Sequence, residues 1–333
     1  MRRRHRCRHP RNLRMPEIPM HRSTFRCALL LGALLPLATC MSASTNATSA
    51  TQHADWHAKR LETLRAEDGW LTLVGLDFLP EGTSTIGSAV GATFRYPNCA
   101  EPIVGRLEVA DGRVSFRQGA GDGNAVGTEA GTAGGAVVWT ADDAGPPTVL
   151  RSGTVSFTLV RRNGRLALRV RDNASPVRTG FAGIALFPYQ PAFAVRARVE
   201  APPAGATVAI TNVTGFVEEQ PVAAVLRFRL PDDAGGVPEA EHRVIATAGS
   251  GGRLFVVFGD ATNGAETYGG GRFLDIAAPV DGWTTIDFNR ATNPPCSFTP
   301  YATCPLPPED NRLPVRVPAG EKHRVAAELH ADR

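Results

Sequence analysis

With 333 residues and a 43% hydrophobic share, the chain is long enough for one large or two ordinary domains around a sizeable core. Its net charge of +4 comes from the first forty residues, which hold nine arginines against one acid, Glu17; taking these from the 36 basic and 32 acidic residues leaves 27 against 31, a charge of −4. That mildly acidic body lacks the basic face nucleic-acid binding requires, so no nucleic-acid partner is expected.

Residues 1–40 have the layout of an export signal: basic His21, Arg22 and Arg26, an apolar run from Cys27 to Ala38, then small residues. The run is shorter than the roughly 20 residues that cross a bilayer. Its end, Leu37-Ala38-Thr39-Cys40, resembles the bacterial lipobox, in which the cysteine is lipidated and becomes the new N-terminus. This predicts an exported protein, in the periplasm or on the periplasmic face of a membrane and touching that membrane only through a lipid on Cys40. Plain secretion, with cleavage between Thr39 and Ala47, is the alternative.

Residues 41–53 are small and polar and read as a tether. A helix is expected over 54–67, with Trp56, Leu61 and Leu64 able to dock on the body. His53 and His57 stand at i, i+4 spacing, which a metal could use; two solvated histidines near a frayed helix start are the simpler reading.

From Gly69 onward the signals are nearly all β, and the fold expected is mainly β, with two antiparallel lobes of sandwich or barrel-like form. The N-terminal lobe, 68–178, opens on a strand-like run from Trp70 to Leu79. Hairpins follow on Asp111-Gly112 and Asn163-Gly164, pairs that supply the positive φ of type I′ turns. The stretch Gly119 to Gly135 reads as a glycine-rich surface loop. The C-terminal lobe, 179–333, offers strands near 192–200, 206–213, 222–230, 242–248, 253–259, 272–276 and 283–288. Leu254 to Phe258 is apolar on both faces and belongs inside a sheet. The irregular, proline-rich loop 287–314 closes the lobe; its aromatics and cysteines mark it as ordered.

No nucleophile elbow, phosphate-cradling loop, His-Glu-x-x-His or Cys-x-x-Cys occurs. Neither a cofactor nor a metal is indicated. Polar residues concentrate instead at Asp260, Glu266, Tyr268, Arg272, Asp287, Asn289, Arg290 and Asn311, candidates for a ligand-facing cluster near two strand ends. The same side chains can equally satisfy the backbone of a long loop. Two functions follow. One is a module binding a small molecule or an envelope protein. The other is a hydrolase-like enzyme with Asp260, Glu266 or Asp287 as base and Arg272 or Arg290 holding charge.

Cys296 and Cys304 bracket the middle of the proline-rich loop, and export would place them where thiols oxidise, so a disulfide is expected. Zinc held by both thiolates with His242 or His323 is the rival, without a chelating spacing to support it. Cys99 is then left as a buried small apolar residue.

Leu79, Gly82 and Thr85-Ile86-Gly87-Ser88 resemble the first hairpin of forkhead-associated domains, but Ser88 stands where those place a phosphothreonine-binding arginine, so no phosphopeptide site is implied. A longer resemblance lies in GDATNGAETYGGGRFLD, DFNRATNPPCSFTPYATCPLPPEDNRLPV and AGEK, supported by GWLTLVGLDFLPEG and NVTGFVEE. By these motifs the chain resembles the uncharacterised bacterial family known as domain of unknown function 1684. The resemblance implies no established activity. Thr292 stands where that family would place an aromatic.

Overall fold

The computed structural model describes residues 37–119, 136–231, 236 and 240–323, with side chains from residue 49 onward. The leader before Leu37, the side chain of Cys40, the glycine-rich stretch 120–135 and His330 lie outside the described residues. Met1–Ser44 is a unit by itself, of which only the helical backbone from Leu37 is described, and Thr45–Arg333 is a second unit.

Helix α1 spans Leu37–Arg65 and so runs through residues 41–53, where the composition suggests a tether. The sequence holds no Gly or Pro between Leu37 and Arg65, so nothing interrupts the helix once its C-terminal half is docked. Among the described residues no helix is long and apolar enough to cross a membrane.

The fold is mainly β, in two lobes. The first contains β1 (Leu73–Phe78), β2 (Gly82–Gly87), β3 (Phe94–Arg95), β4 (Gly105–Ala110), β5 (Arg113–Gln118), β6 (Val137–Trp139), β7 (Val149–Ser152), β8 (Val155–Arg162) and β9 (Arg165–Asp172). They form two sheets, ordered β1-β9-β8-β7 and β3-β2-β4-β5-β6. Inward residues alternate along each strand, and Ile86, Leu107, Phe116, Trp139, Phe157 and Leu168 fill the space between the sheets. Both predicted hairpin turns form, with φ of 53° and 70° at Asp111 and Gly112 and 53° and 73° at Asn163 and Gly164. Two details depart from the sequence reading. Trp70–Thr72 is a 3₁₀ turn, held by Thr72 Oγ1 donating to Gly69 O at 2.7 Å, so the strand starts only at Leu73. The short β3 also runs parallel to β2 in an otherwise antiparallel lobe.

The second lobe contains β10 (Ala194–Glu200), β11 (Thr207–Thr211), β12 (Val217–Pro221), β13 (Ala224–Arg229), β14 (Glu241–Ala248), β15 (Leu254–Phe258), β16 (Arg272–Ile276) and β17 (Trp283–Asp287). Six form one sheet, ordered β16-β15-β14-β13-β10-β17, curled so that its edge strands β16 and β17 come into contact. β15 has a neighbour on each side, as its apolar faces require. The core comprises Phe193, Leu226, Phe228, Val256, Phe258, Ile286 and Phe288 among others. β11 and β12 form a separate two-stranded ribbon. β12, Val-Glu-Glu-Gln-Pro, is mostly exposed and polar, so no apolar pattern announces it.

The proline-rich loop is pinned to both lobes, which is how a segment without its own ladder satisfies its backbone. Thr292 and Phe273 exchange two 2.9 Å backbone bonds, Leu306 N donates to Thr211 O at 2.8 Å, and Val213 N donates to Cys304 O at 3.0 Å. Thr299 Oγ1 reaches Leu73 O in the first lobe at 3.1 Å. The sulfurs of Cys296 and Cys304 lie at disulfide distance, with Cα atoms 6.1 Å apart. They pack with Leu73, Trp70, Phe273 and Ala302 in a small third core. His242 sits against Phe228, and His323 against Tyr268. Among the described residues no group of three potential ligands gathers for a metal.

Candidate functional site

The eight predicted residues fall into separate places. Asp260, in the turn after β15, and Arg272, the first residue of β16, are brought together at 2.6 Å with both side chains fully buried. Arg272 also donates to Val317 O at 2.9 Å and to Ala319 O, while Asp260 Oδ1 accepts from Thr262 N at 2.8 Å, Thr262 Oγ1 at 2.6 Å and Val317 N at 3.2 Å. Burial pushes the Arg272 guanidinium down, and the Asp260 carboxylate opposes that shift. The pair rivets the sheet to the segment Val317–Ala319 and presents nothing to solvent.

Asn311 serves the backbone. β14 and β15 pair only at Thr247–Phe255 and Ala248–Leu254. Where the ladder would continue, Asn311 stands between the strands, donating to Ile245 O at 2.9 Å and Val257 O at 2.8 Å and accepting from Ile245 N at 2.7 Å. Its amide takes the place of the missing rung.

Asp287, Asn289 and Arg290 stay together at the end of β17. Asp287 Oδ1 accepts from Asn289 N at 3.1 Å and caps the 3₁₀ turn Phe288–Arg290. Asn289 exchanges bonds with Gln190, accepting at 3.0 Å and donating at 2.9 Å. Arg290 pairs with Asp287 at 3.3 Å on the surface. Glu266 pairs with Arg316 at 2.7 Å, and Tyr268 stacks edge-on against His323 at 5.1 Å. None of the eight lines either groove described below.

Helix α1 supplies one residue that sequence reasoning passed over, Arg60, and one that it read otherwise, His53. His53 is buried rather than solvated: its Nε2 meets Asn289 O at 2.9 Å, and its ring packs between Trp56 and Tyr189. Arg60 donates to Glu321 Oε1 at 3.0 Å and to Asn293 O at 3.0 Å. Glu321, with no exposure, also accepts from Asn293 N at 2.6 Å. The signal was present in the 3, 4, 4 spacing of His53, Trp56, Arg60 and Leu64, one face of a helix.

A groove of about 430 Å³ opens along β1, where the first lobe meets the proline-rich loop. Asp77, Gly75, Tyr96, Asn98, Asp172 and Tyr301 line it. Register places Asp77 opposite Leu168 and Gly75 opposite Val170, so these residues and Asp172 share the inner face of the sheet. Gly75 makes the arrangement possible, because a Cβ there would lie 2.0 Å from the Tyr96 hydroxyl. Across that bare position Tyr96 donates a short hydrogen bond to Asp77 Oδ2. Burial first, and the Asp77 carboxylate second, hold the Tyr96 phenol well above its ordinary range, so it keeps its proton. At the other end Asp172 accepts from Asn98 Nδ2 at 2.6 Å, Thr154 Oγ1 at 2.6 Å and Ala174 N at 2.8 Å. A second groove, of about 480 Å³, lies between the β8–β9 turn, the β11–β12 ribbon and Pro305. Its cations are already neutralised, Arg161 by Asp143 at 2.7 Å and Arg162 by Asp142 at 2.6 Å.

Residues 179–322 match the family described as "Protein of unknown function (DUF1684)". Among solved structures, the NMR structure of an uncharacterised protein from Haloarcula marismortui is similar at 29% identity, covering 44% of this chain and 78% of that one, with a TM-score of 0.35. No curated protein matches the chain.

Proposed function

We propose, starting from a chain whose residues 179–322 belong to a family of unknown function, that the protein is an exported envelope module which binds a small polar ligand in the groove along β1. The observation that carries this is the groove itself: a solvent-open hollow with two carboxylates, an amide and two tyrosines converging on it. The basic–apolar–cysteine leader supports export and a lipid on Cys40. The pairing distance of Cys296 and Cys304 suits an oxidising compartment, where they close as a disulfide.

The hydrolase-like alternative finds less support. Asp260 and Arg272 are committed to each other without solvent access, and Asp287 is committed to a cap. In the groove each carboxylate is already engaged, Asp77 by Tyr96 and Asp172 by Asn98, Thr154 and the Ala174 amide.

Crystals soaked with a fragment library test the binding reading, with density expected against Tyr301 and Asp77. Fragments found only elsewhere would refute it. For the anchor, labelled palmitate should enter the parent and not Cys40→Ala; equal labelling of both rules the lipid out.

A further inference from the structure

The ligand class of the groove is legible in how its charges are satisfied. Most of this protein's buried or half-buried acids pair with arginine: Asp260 with Arg272, Glu321 with Arg60, Asp142 with Arg162 and Glu200 with Arg227. Glu101, held by Ser152 Oγ, is an exception. So are Asp77 and Asp172. Among the described residues neither has a cationic partner within ion-pair distance. Each is held by neutral donors only, a phenol for Asp77 and an amide, a hydroxyl and a backbone N–H for Asp172. Arg95, at the rim, is exposed and spends its Nε on Ser88 O at 3.2 Å.

Around its two carboxylates the groove leaves acceptors open. Tyr96 donates its O–H to Asp77 Oδ2, so Asp77 Oδ1 and the Tyr96 lone pairs remain. Asn98 has turned its amide nitrogen to Asp172, which leaves its carbonyl oxygen. Val74, Gly75 and the rings of Tyr96 and Tyr301 also line the groove, a wall suited to methylene groups and to cations over a π face. Roughly 13 Å of strand separates the position of Asp77 from that of Asp172.

We infer that the groove binds a linear polyamine, one ammonium group on Asp77 and a second at the Asn98–Asp172 end, with the methylene chain along Tyr96 and Tyr301. This rests on the groove being a binding site. Two carboxylates without a cationic partner, against Arg95 as the one cation among the lining residues, favour a cationic ligand over an anion or a neutral polyol.

Calorimetric titration of the full chain with spermidine, and separately with trehalose as a neutral polyol, tests the assignment. Saturable spermidine binding is expected, weaker by about tenfold or more in Asp77→Asn and weaker again at high salt. Tyr301→Ala, at an exposed residue, should also weaken it while leaving the thermal transition unchanged. Spermidine binding equal in the parent and both variants overturns the inference. So does saturation by trehalose without spermidine, a result that keeps the groove and changes its ligand class. Silence from both probes overturns the polyamine too, and the fragment-soaked crystals then judge the groove on their own.

Discussion

Arg60 and Glu321 stand 261 positions apart, and the guanidinium of the first donates to the carboxylate of the second at 3.0 Å. Glu321 is wholly buried and Arg60 nearly so, with 19% of its side chain exposed. Removing the arginine therefore leaves an uncompensated internal charge. Arg60→Ala should cost about 3 kcal/mol in urea denaturation, and adding Glu321→Gln should recover part of that loss. A change below about 0.5 kcal/mol would show that the pair contributes little.

Asn311→Ala removes the side chain that stands in for a rung between β14 and β15. Ile245 N, Ile245 O and Val257 O lose their partner together. The expected loss is about 3–5 kcal/mol, and hydrogen exchange should quicken at Ile245 ahead of the rest of β14. Unchanged exchange at that amide would contradict the role.

How much of this was legible follows from what each feature depends on. The hairpins at Asp111-Gly112 and Asn163-Gly164 and the interior strand Leu254–Phe258 rest on local chemistry, so their residues announce them. Asn311 looks like a ligand-facing residue in sequence because an amide that replaces backbone and one that meets a ligand have the same composition. Asp260 and Arg272 share that ambiguity: twelve positions apart, they look as suited to a site as to a rivet. The groove was hidden for another reason. Asp77, Tyr96, Asp172 and Tyr301 come from four segments, gathered by the register of β1 on β9 together with the packing of the segment after β3 and of the proline-rich loop.

Burial, foremost, holds the imidazoles of His57, His242 and His323 below the ordinary value of 6.5. As pH falls through that value the unfolded chain takes up three protons that the fold accepts only at lower pH. Stability should therefore be flat above about pH 6.5 and decline below it. Urea midpoints at about pH 7.5 and pH 5.5 measure this, and replacing all three by Gln should flatten the decline. A midpoint that rises on acidification would contradict the sign.

Gly75→Ala places a methyl group where the Tyr96 hydroxyl lies, 2.0 Å away. The ring can swing out, so the stability cost should stay near 1–2 kcal/mol, but the bond to Asp77 is lost. Spectrophotometric titration should then show Tyr96 ionising with the other phenols instead of lagging behind them. Continued lag would mean that the glycine does not hold the seat open.

Opening the Cys296–Cys304 pair releases a short loop inside the third core. Cys296→Ser with Cys304→Ser should lower stability by about 2.6 kcal/mol on the chain-entropy model, as should reductant acting on the parent. Two free thiols in protein prepared under oxidising conditions would remove the basis for the bond.

The docking of α1 also decides where this protein can be cut. The family match begins at residue 179 and stops at 322, yet Glu321 takes its counter-charge from Arg60, Asn289 O meets His53, and Thr299 holds Leu73. Excised, the matched segment would carry a naked buried acid and lose the floor beneath its proline-rich loop. A transplant of the C-terminal lobe should therefore bring the helix with it.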